Sequence, residues 1–176
     1  MIGPFCCSLA LSLSLGAAQD EMPANWEAFV SKDGRFTVKL PKGHTEIRKK
    51  IQTATGQLET TIVVAEGRGD SSFVVSYCDF PEKELKADSV EKRLDQACKG
   101  AVESSRGKLR SEAAKKLDVH PGREIVIEKD GAVIAKMRIY LVDRRLYQVM
   151  VLGNSATFAP KEKDVGIFLD SFRLNK

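Results

Sequence analysis

REIVIEKDGAVIAKMRIYLVDRRLYQVMVL, running from Arg123 to Leu152, is the stretch whose reading decides the fold. Ile125 and Ile127 share one face ahead of Asp130-Gly131, a dipeptide suited to the positive φ angles of a tight hairpin. Val133, Ala135, Met137, Ile139 and Leu141 then alternate with more polar neighbours. Asp143-Arg144 turns the chain again into Leu146 to Leu152, the most apolar run. Apolar residues at period two, punctuated by turn dipeptides, predict an antiparallel meander.

The same rhythm extends upstream. Ala28-Phe29-Val30 leads through Asp33-Gly34, read as a hairpin turn, into Phe36, Val38 and Leu40, which share a face and stop at Pro41. Ile47 to Thr53 and Gln57 to Val64 form the next pair, joined at Thr55-Gly56, and Gly67 to Asp70 turns the chain into Phe73 to Cys78. These five strands are expected side by side in one sheet. Asp88 followed by Glu91 reads as a capping box, after which Val90, Leu94, Ala97, Cys98, Ala101 and Val102 recur on one helical stripe. Lys108 to Lys116 is a weakly patterned strand, and Pro121-Gly122 reads as the turn that follows it. Val165, Phe168, Leu169 and Phe172 mark a C-terminal helix with Pro160 in its first turn. The order predicts an α+β fold, an antiparallel meander sheet with one long amphipathic helix and a C-terminal helix packed on it.

The totals agree with one such unit. The chain has 176 residues, 43% apolar and 30% charged, the balance of a folded domain. Its first nineteen residues carry no charged side chain, and an apolar run from Phe5 to Leu15 precedes Gly16-Ala17-Ala18. This predicts a signal peptide over 1–18 cleaved near Ala18, a short segment over 19–25 and a single α+β domain over 26–176. The run is too short for a comfortable membrane span, no second span follows, and the mature chain is expected outside the cytoplasm, periplasmic or extracellular. Net charge is +4, with basic clusters such as Arg48-Lys49-Lys50 separated by acids, which does not point to nucleic acid.

Two cysteines remain after cleavage, Cys78 and Cys98. In an oxidising compartment they suggest a disulfide, stabilising by roughly 3 kcal/mol through closure of a loop of about 20 residues. Two separate buried thiols are the alternative. Cys98 lies on the buried stripe of the helix, so it is expected to face the sheet that carries Cys78.

Chemical motifs are sparse. Gly153-Asn154-Ser155-Ala156-Thr157 lacks the second glycine of a nucleophile turn. His44, His120, Cys78 and Cys98 show no metal-ligand spacing, and no metal or cofactor is expected. Gly67-Arg68-Gly69-Asp70 joins two strands instead of opening a helix, so it is not a dinucleotide turn. Arg68-Gly69-Asp70-Ser71 looks like the integrin-recognition tetrapeptide, on residues that turns favour anyway. The remaining candidates are His120 and Arg123 beside the Pro-Gly turn, as an anion site, and Tyr140, Arg145 and Tyr147 across the last hairpin, as a groove lining.

Taken together, Ser76-Tyr77-Cys78-Asp79-Phe80-Pro81, Pro121-Gly122-Arg123-Glu124, Tyr140-Leu141-Val142 with Arg145-Leu146-Tyr147-Gln148, and Phe168-Leu169-Asp170-Ser171-Phe172 resemble a family of small exported bacterial proteins of unknown function. The order of elements is similar, more distantly, to the PsbP-like fold shared by an extrinsic subunit of photosystem II and a Ran-binding nuclear import factor. That resemblance implies an antiparallel sheet sandwiched between helices and a binding or assembly role. It carries over no functional residue, because none matches position by position.

The function expected is therefore a non-catalytic secreted or periplasmic binding or accessory module whose partner is a protein or a cell-envelope component. The alternatives are a small-ligand carrier with its pocket between the sheet and the C-terminal helix, and a hydrolase-type enzyme with an unrecognised site.

Overall fold

The computed structural model describes residues 22–53, 56–82, 88–154, 158 and 162–175. Along them run β1 (Trp26–Ser31), β2 (Phe36–Pro41), β3 (Thr45–Thr53), β4 (Gly56–Glu66) and β5 (Ser72–Asp79). There follow α1 (Val90–Ser105), β6 (Lys108–Leu117), β7 (His120–Lys129), β8 (Ala132–Val142), β9 (Arg145–Leu152), α2 (Glu162–Ser171) and β10 (Arg173–Leu174). The proposed signal segment, Thr55 and Pro160 lie outside the described residues.

One continuous meander was expected; two antiparallel sheets are found, of seven strands in the order β3-β4-β5-β9-β8-β7-β6 and of three in the order β1-β2-β10. Burial explains the split. Phe36, Val38 and Leu40 of β2 are fully buried in one cluster with Val63, Ala65, Phe73 and Val75 of the large sheet. Face-on packing removes these side chains from water at about 25 cal/mol per Å² of apolar surface, which edge-to-edge pairing with the exposed β3 would not do. Nor is the large sheet a plain meander, because β5 pairs with β9, Phe73 opposite Val151 and Tyr77 opposite Tyr147. The α1 crossover carries the chain from β5 to the far edge at β6, and three strands then return to β5.

The turns refine the reading. Asp130 (φ 52°) and Gly131 (φ 79°) both take the left-handed backbone of a two-residue hairpin, as their identity requires. At Asp33-Gly34 a hairpin also forms, but the left-handed residue is Arg35 (φ 53°). Gly34 is needed for space instead, since a Cβ there would lie 2.5 Å from the Phe36 ring. Pro121-Gly122 is not the turn. The chain reverses at Asp118-Val119, with Leu117 opposite His120, and Gly122 sits inside β7 where a Cβ would meet the Ile139 carbonyl oxygen at 2.4 Å.

Helix α1 starts one residue later than the capping box implied. Ser89 is the N-cap, its Oγ accepting from the Lys92 N–H at 3.3 Å. Asp88 pairs with the Lys92 ammonium at 2.5 Å and Glu91 with Arg123, so neither closes a box. Arg93, Leu94 and Cys98 are its buried residues.

The large sheet thus has two differently dressed faces. β1, β2, β10 and α2 cover one, around Trp26, Phe36, Phe73, Phe168 and Phe172. Helix α1 lies on the other, over Leu94, Ile125, Ile127, Met137 and Ile139.

Candidate functional site

Seven strands at about 4.8 Å spacing span roughly 29 Å, while one helix with its side chains is about 10 Å wide. Helix α1 packs on β6, β7 and β8. The rest of that face, over β9, β5 and β4, has no helix on it among the described residues. Between it and the flank of α1 runs a half-open groove of about 1060 Å³. Leu58, Ile62, Val74, Leu146 and Met150 line its floor, and Ala97, Gly100 and Ala101 its wall. Leu58, Val74 and Leu146 are only 8%, 7% and 7% exposed, so they form a recessed floor and not a rim.

The floor has a polar band and no charge. Ser76 Oγ donates to Gln148 Oε1 at 3.3 Å. Cys78 stands opposite Thr60 and hydrogen-bonds to it. Burial pushes the Cys78 thiol up to about 11, which keeps it neutral. The charges sit at the helix side and ends: Asp88, Arg93 and Glu103. Asp88 is tied to Lys92 and held below the usual carboxylate range by that bond, and Glu103 lies 3.9 Å from Lys99. Arg93, 5% exposed, donates from Nη2 to the Asp88 carbonyl at 3.2 Å and lies 5.7 Å from the Phe80 ring centroid.

The residues singled out from sequence stand elsewhere. Arg145 grips Asp79 with two bonds of 2.6 and 2.7 Å, donates to the Asp33 carbonyl at 2.7 Å and stacks 4.9 Å over Tyr77. Tyr147 donates its hydroxyl proton to the Gly34 carbonyl at 2.7 Å. Tyr140 stacks on Phe172 at 6.1 Å with the rings nearly parallel. Arg145 and Tyr147 brace the large sheet to the β1–β2 turn while Tyr140 packs on Phe172, and none of the three lines the groove beside α1. The pocket expected between the sheet and the C-terminal helix is likewise filled by rings, Phe36 and Tyr147 lying 5.2 and 5.4 Å from Phe172.

His120 and Arg123 are kept apart by strand alternation. His120 opens β7, half-buried, whereas Arg123 points to the α1 face and meets Glu91, Asp95 at 3.6 Å and Glu112 at 3.2 Å. That acidic surround leaves it poorly suited to the anion site considered from sequence. Cys78 and Cys98 are both free thiols. They face the same side but different neighbours: Cys78 meets Thr60, while Cys98, also raised to about 11 by burial, lies nearer Glu112 and Arg123. Arg68-Gly69-Asp70 is the exposed β4–β5 turn, with Gly69 at φ 65° and Asp70 accepting from the Asn154 amide at 3.2 Å. Among the described residues no three acidic, histidine or cysteine side chains gather as a metal site, and no helix is long and apolar enough to cross a membrane.

The sequence reading missed the groove because each floor residue looks like an ordinary strand position. One signal was present: β4 is apolar on both faces, Leu58, Ile62 and Val64 on one and Val63 and Ala65 on the other. Among the described residues α1 alone packs on that face, and it reaches only β6, β7 and β8.

This arrangement of sheets and helices resembles the PsbP-like fold. The solution structure of cyanobacterial PsbP (CyanoP) from Synechocystis sp. PCC 6803 matches with a TM-score of 0.58, covering 97% of this chain and 98% of that chain. Sequence identity is 10%, so the likeness is one of fold. No family model matches the chain, and no curated protein matches it.

Proposed function

We propose that this chain is a non-catalytic, exported binding or accessory module that takes a cell-envelope component into the groove beside α1. The observation that carries the proposal is the groove itself: a recessed, uncharged, mainly apolar floor about 1060 Å³ in extent, open on one side. Its size is that of a ligand site. The small-ligand reading is therefore kept, moved from the α2 side of the sheet to the α1 side. Support for a non-catalytic role comes from Arg123, Arg145 and Tyr147, each occupied by structural partners. Export rests on the uncharged apolar start of the chain and its Gly16-Ala17-Ala18 segment.

Gly100 offers a clean test, because a Cβ there meets nothing within 4 Å while the residue lines the groove. Gly100→Trp should fill the groove without disturbing the fold. The mature protein and this variant are expressed in the native envelope, purified, and compared for co-purifying proteins and lipids. The wild type is expected to retain a component that the variant loses. Equal retention, or nothing retained by either, would overturn the reading.

A further inference from the structure

We infer that the groove beside α1 holds an uncharged lipid, a long hydrocarbon chain that carries a neutral alcohol or ester oxygen and no ionised head. This deepens the binding role proposed above and rests on the groove being the binding surface. The groove follows α1 from Arg93 to Ser105, which at 1.5 Å per residue is about 18 Å, the extended length of a chain of about a dozen or more carbons. Alongside it, strand pairing sets Thr60 opposite Cys78 and Ser76 opposite Gln148, so the polar positions of the floor form one band across it. Leu58 lies beyond that band at one end, and Val74, Met150 and Leu152 lie beyond it at the other.

Charge selects the class of ligand. The charged residues lining the groove are Asp88, Arg93 and Glu103, and each is already engaged. Asp88 pairs with Lys92 and Glu103 with Lys99. Arg93 bonds the Asp88 carbonyl, lies over the Phe80 ring and helps to hold the Asp88 carboxyl in its charged form. An ionised head of either sign would leave water for a lining whose charges are already matched, a cost that a neutral ligand does not meet. The floor itself is polar without charge. Ser76 donates to Oε1 of Gln148, which leaves the amide NH2 group of Gln148 as a neutral donor. The Cys78 thiol, pushed up to about 11 by burial, keeps its proton at neutral pH. One neutral oxygen on the ligand, placed at Gln148, matches this band, and hydrocarbon matches the floor on either side of it. An extended peptide fits poorly, because its repeated N–H and C=O groups require partners. The backbones of β4, β5 and β9 are each paired with a strand on both sides and offer none.

The test uses the full mature protein, stripped of lipid and titrated at about pH 8 with a fluorescent polyene alcohol. The probe is then displaced by tetradecanol, octanol, tetradecane or myristate. Saturable binding is expected, with tetradecanol displacing the probe at least about thirtyfold better than octanol, since each buried methylene strengthens binding severalfold. Tetradecanol should also bind at least about tenfold better than myristate, whose carboxylate is ionised at that pH. Gly100→Trp should weaken tetradecanol at least about tenfold with an unchanged unfolding midpoint. Gln148→Leu should weaken tetradecanol about fivefold and leave tetradecane no weaker. The comparison of alcohol with acid needs no variant, so it stands even if Gln148→Leu fails to fold. Absence of displacement by tetradecanol, no dependence on chain length, myristate binding as well as tetradecanol, or indifference to Gly100→Trp would each overturn the inference. Equal loss of tetradecanol and tetradecane in Gln148→Leu would overturn the placement of the oxygen at Gln148. If Gly100→Trp still abolishes co-purification of an envelope component while tetradecanol fails to bind, the uncharged-lipid assignment falls and the binding role survives. If neither depends on Gly100, both fall.

Discussion

The two faces of the seven-stranded sheet are built from similar strands and finished in opposite ways. On one, a second sheet and α2 close over an aromatic cluster in which Phe36 touches four rings, those of Phe29, Tyr77, Tyr147 and Phe172. On the other, among the described residues, the 16-residue α1 covers β6 to β8 and leaves the floor of β4, β5 and β9 to line a groove. Among the described residues the difference is one of width: three strands and a helix cover one face, and the α1 helix spans only part of the other. The closed face then sets stability, and the open face carries the groove proposed for binding.

The largest effect that can break this comparison is expected on the closed face. Phe36→Ala removes a fully buried ring from the centre of the aromatic cluster and should cost about 3–5 kcal/mol. Urea denaturation followed by fluorescence measures it, and a loss below about 1 kcal/mol would show that the closed face is not the stability core.

Next comes the brace. Arg145→Gln breaks the two-bonded grip on Asp79 and the bond to the Asp33 carbonyl, and should cost about 2 kcal/mol at neutral pH, discounted because Asp79 is partly exposed. The bond from Arg145 is the main cause that holds the Asp79 carboxyl below its ordinary range. A carboxylate with a depressed folded pKa contributes stability above its unfolded value of about 3.9, and that contribution is lost as pH falls through the folded pKa. The gap between wild type and variant should therefore be full at pH 7 and shrink in acid below about pH 4. A gap that stays constant down the acid limb would remove the Asp79 pair as its source.

How much of this was legible in the sequence follows from the range of the interactions. The place of α1, the Asp130-Gly131 hairpin and the strand β8 are local, and each could be read from neighbouring residues. The cap moved by one residue because Asp88 and Ser89 are both good N-caps, and only the Lys92 N–H decides between them. The separation of β1 and β2 into their own sheet was not legible. It depends on Phe36 and Val38 meeting Val63 and Val75, positions brought together only by the fold. Arg145 and Tyr147 read from sequence, with Tyr140, as a groove lining, and the structure gives them a different task. That task, anchoring Asp33 and Gly34 more than a hundred residues earlier in the chain, has no local signature. The groove was hidden for the same reason, since it is defined by the width of a sheet whose central pairing, β5 with β9, joins distant segments.

On the open face, substitutions should be cheaper. Met150→Ala trims a half-buried side chain from the groove floor, where space already exists beside it, and should cost less than about 1.5 kcal/mol. A cost matching that of Phe36→Ala would mean that the floor is as tightly packed as the closed face, and the contrast between them would fail.

The smallest expected effect has the opposite sign. Gly100 sits in the interior of α1 and Gly166 in the interior of α2, and at both a Cβ would meet nothing within 4 Å. A mid-helix glycine costs roughly 0.5–1 kcal/mol relative to alanine, because the unfolded chain has more freedom to lose. Gly100→Ala and Gly166→Ala should each stabilise by about that amount, read as a rise in the urea midpoint with an unchanged slope. Their consequences for the groove should differ with size. Alanine at 100 adds one methyl group at the lip and should leave ligand binding intact, whereas tryptophan at the same position, with the same freedom from backbone strain, should block it. If alanine at 100 already weakened binding, the lip would be tighter than the open space around Gly100 indicates. If Gly100→Ala failed to stabilise while Gly166→Ala did, the flank of α1 facing the groove would owe its stability to the open space that glycine preserves.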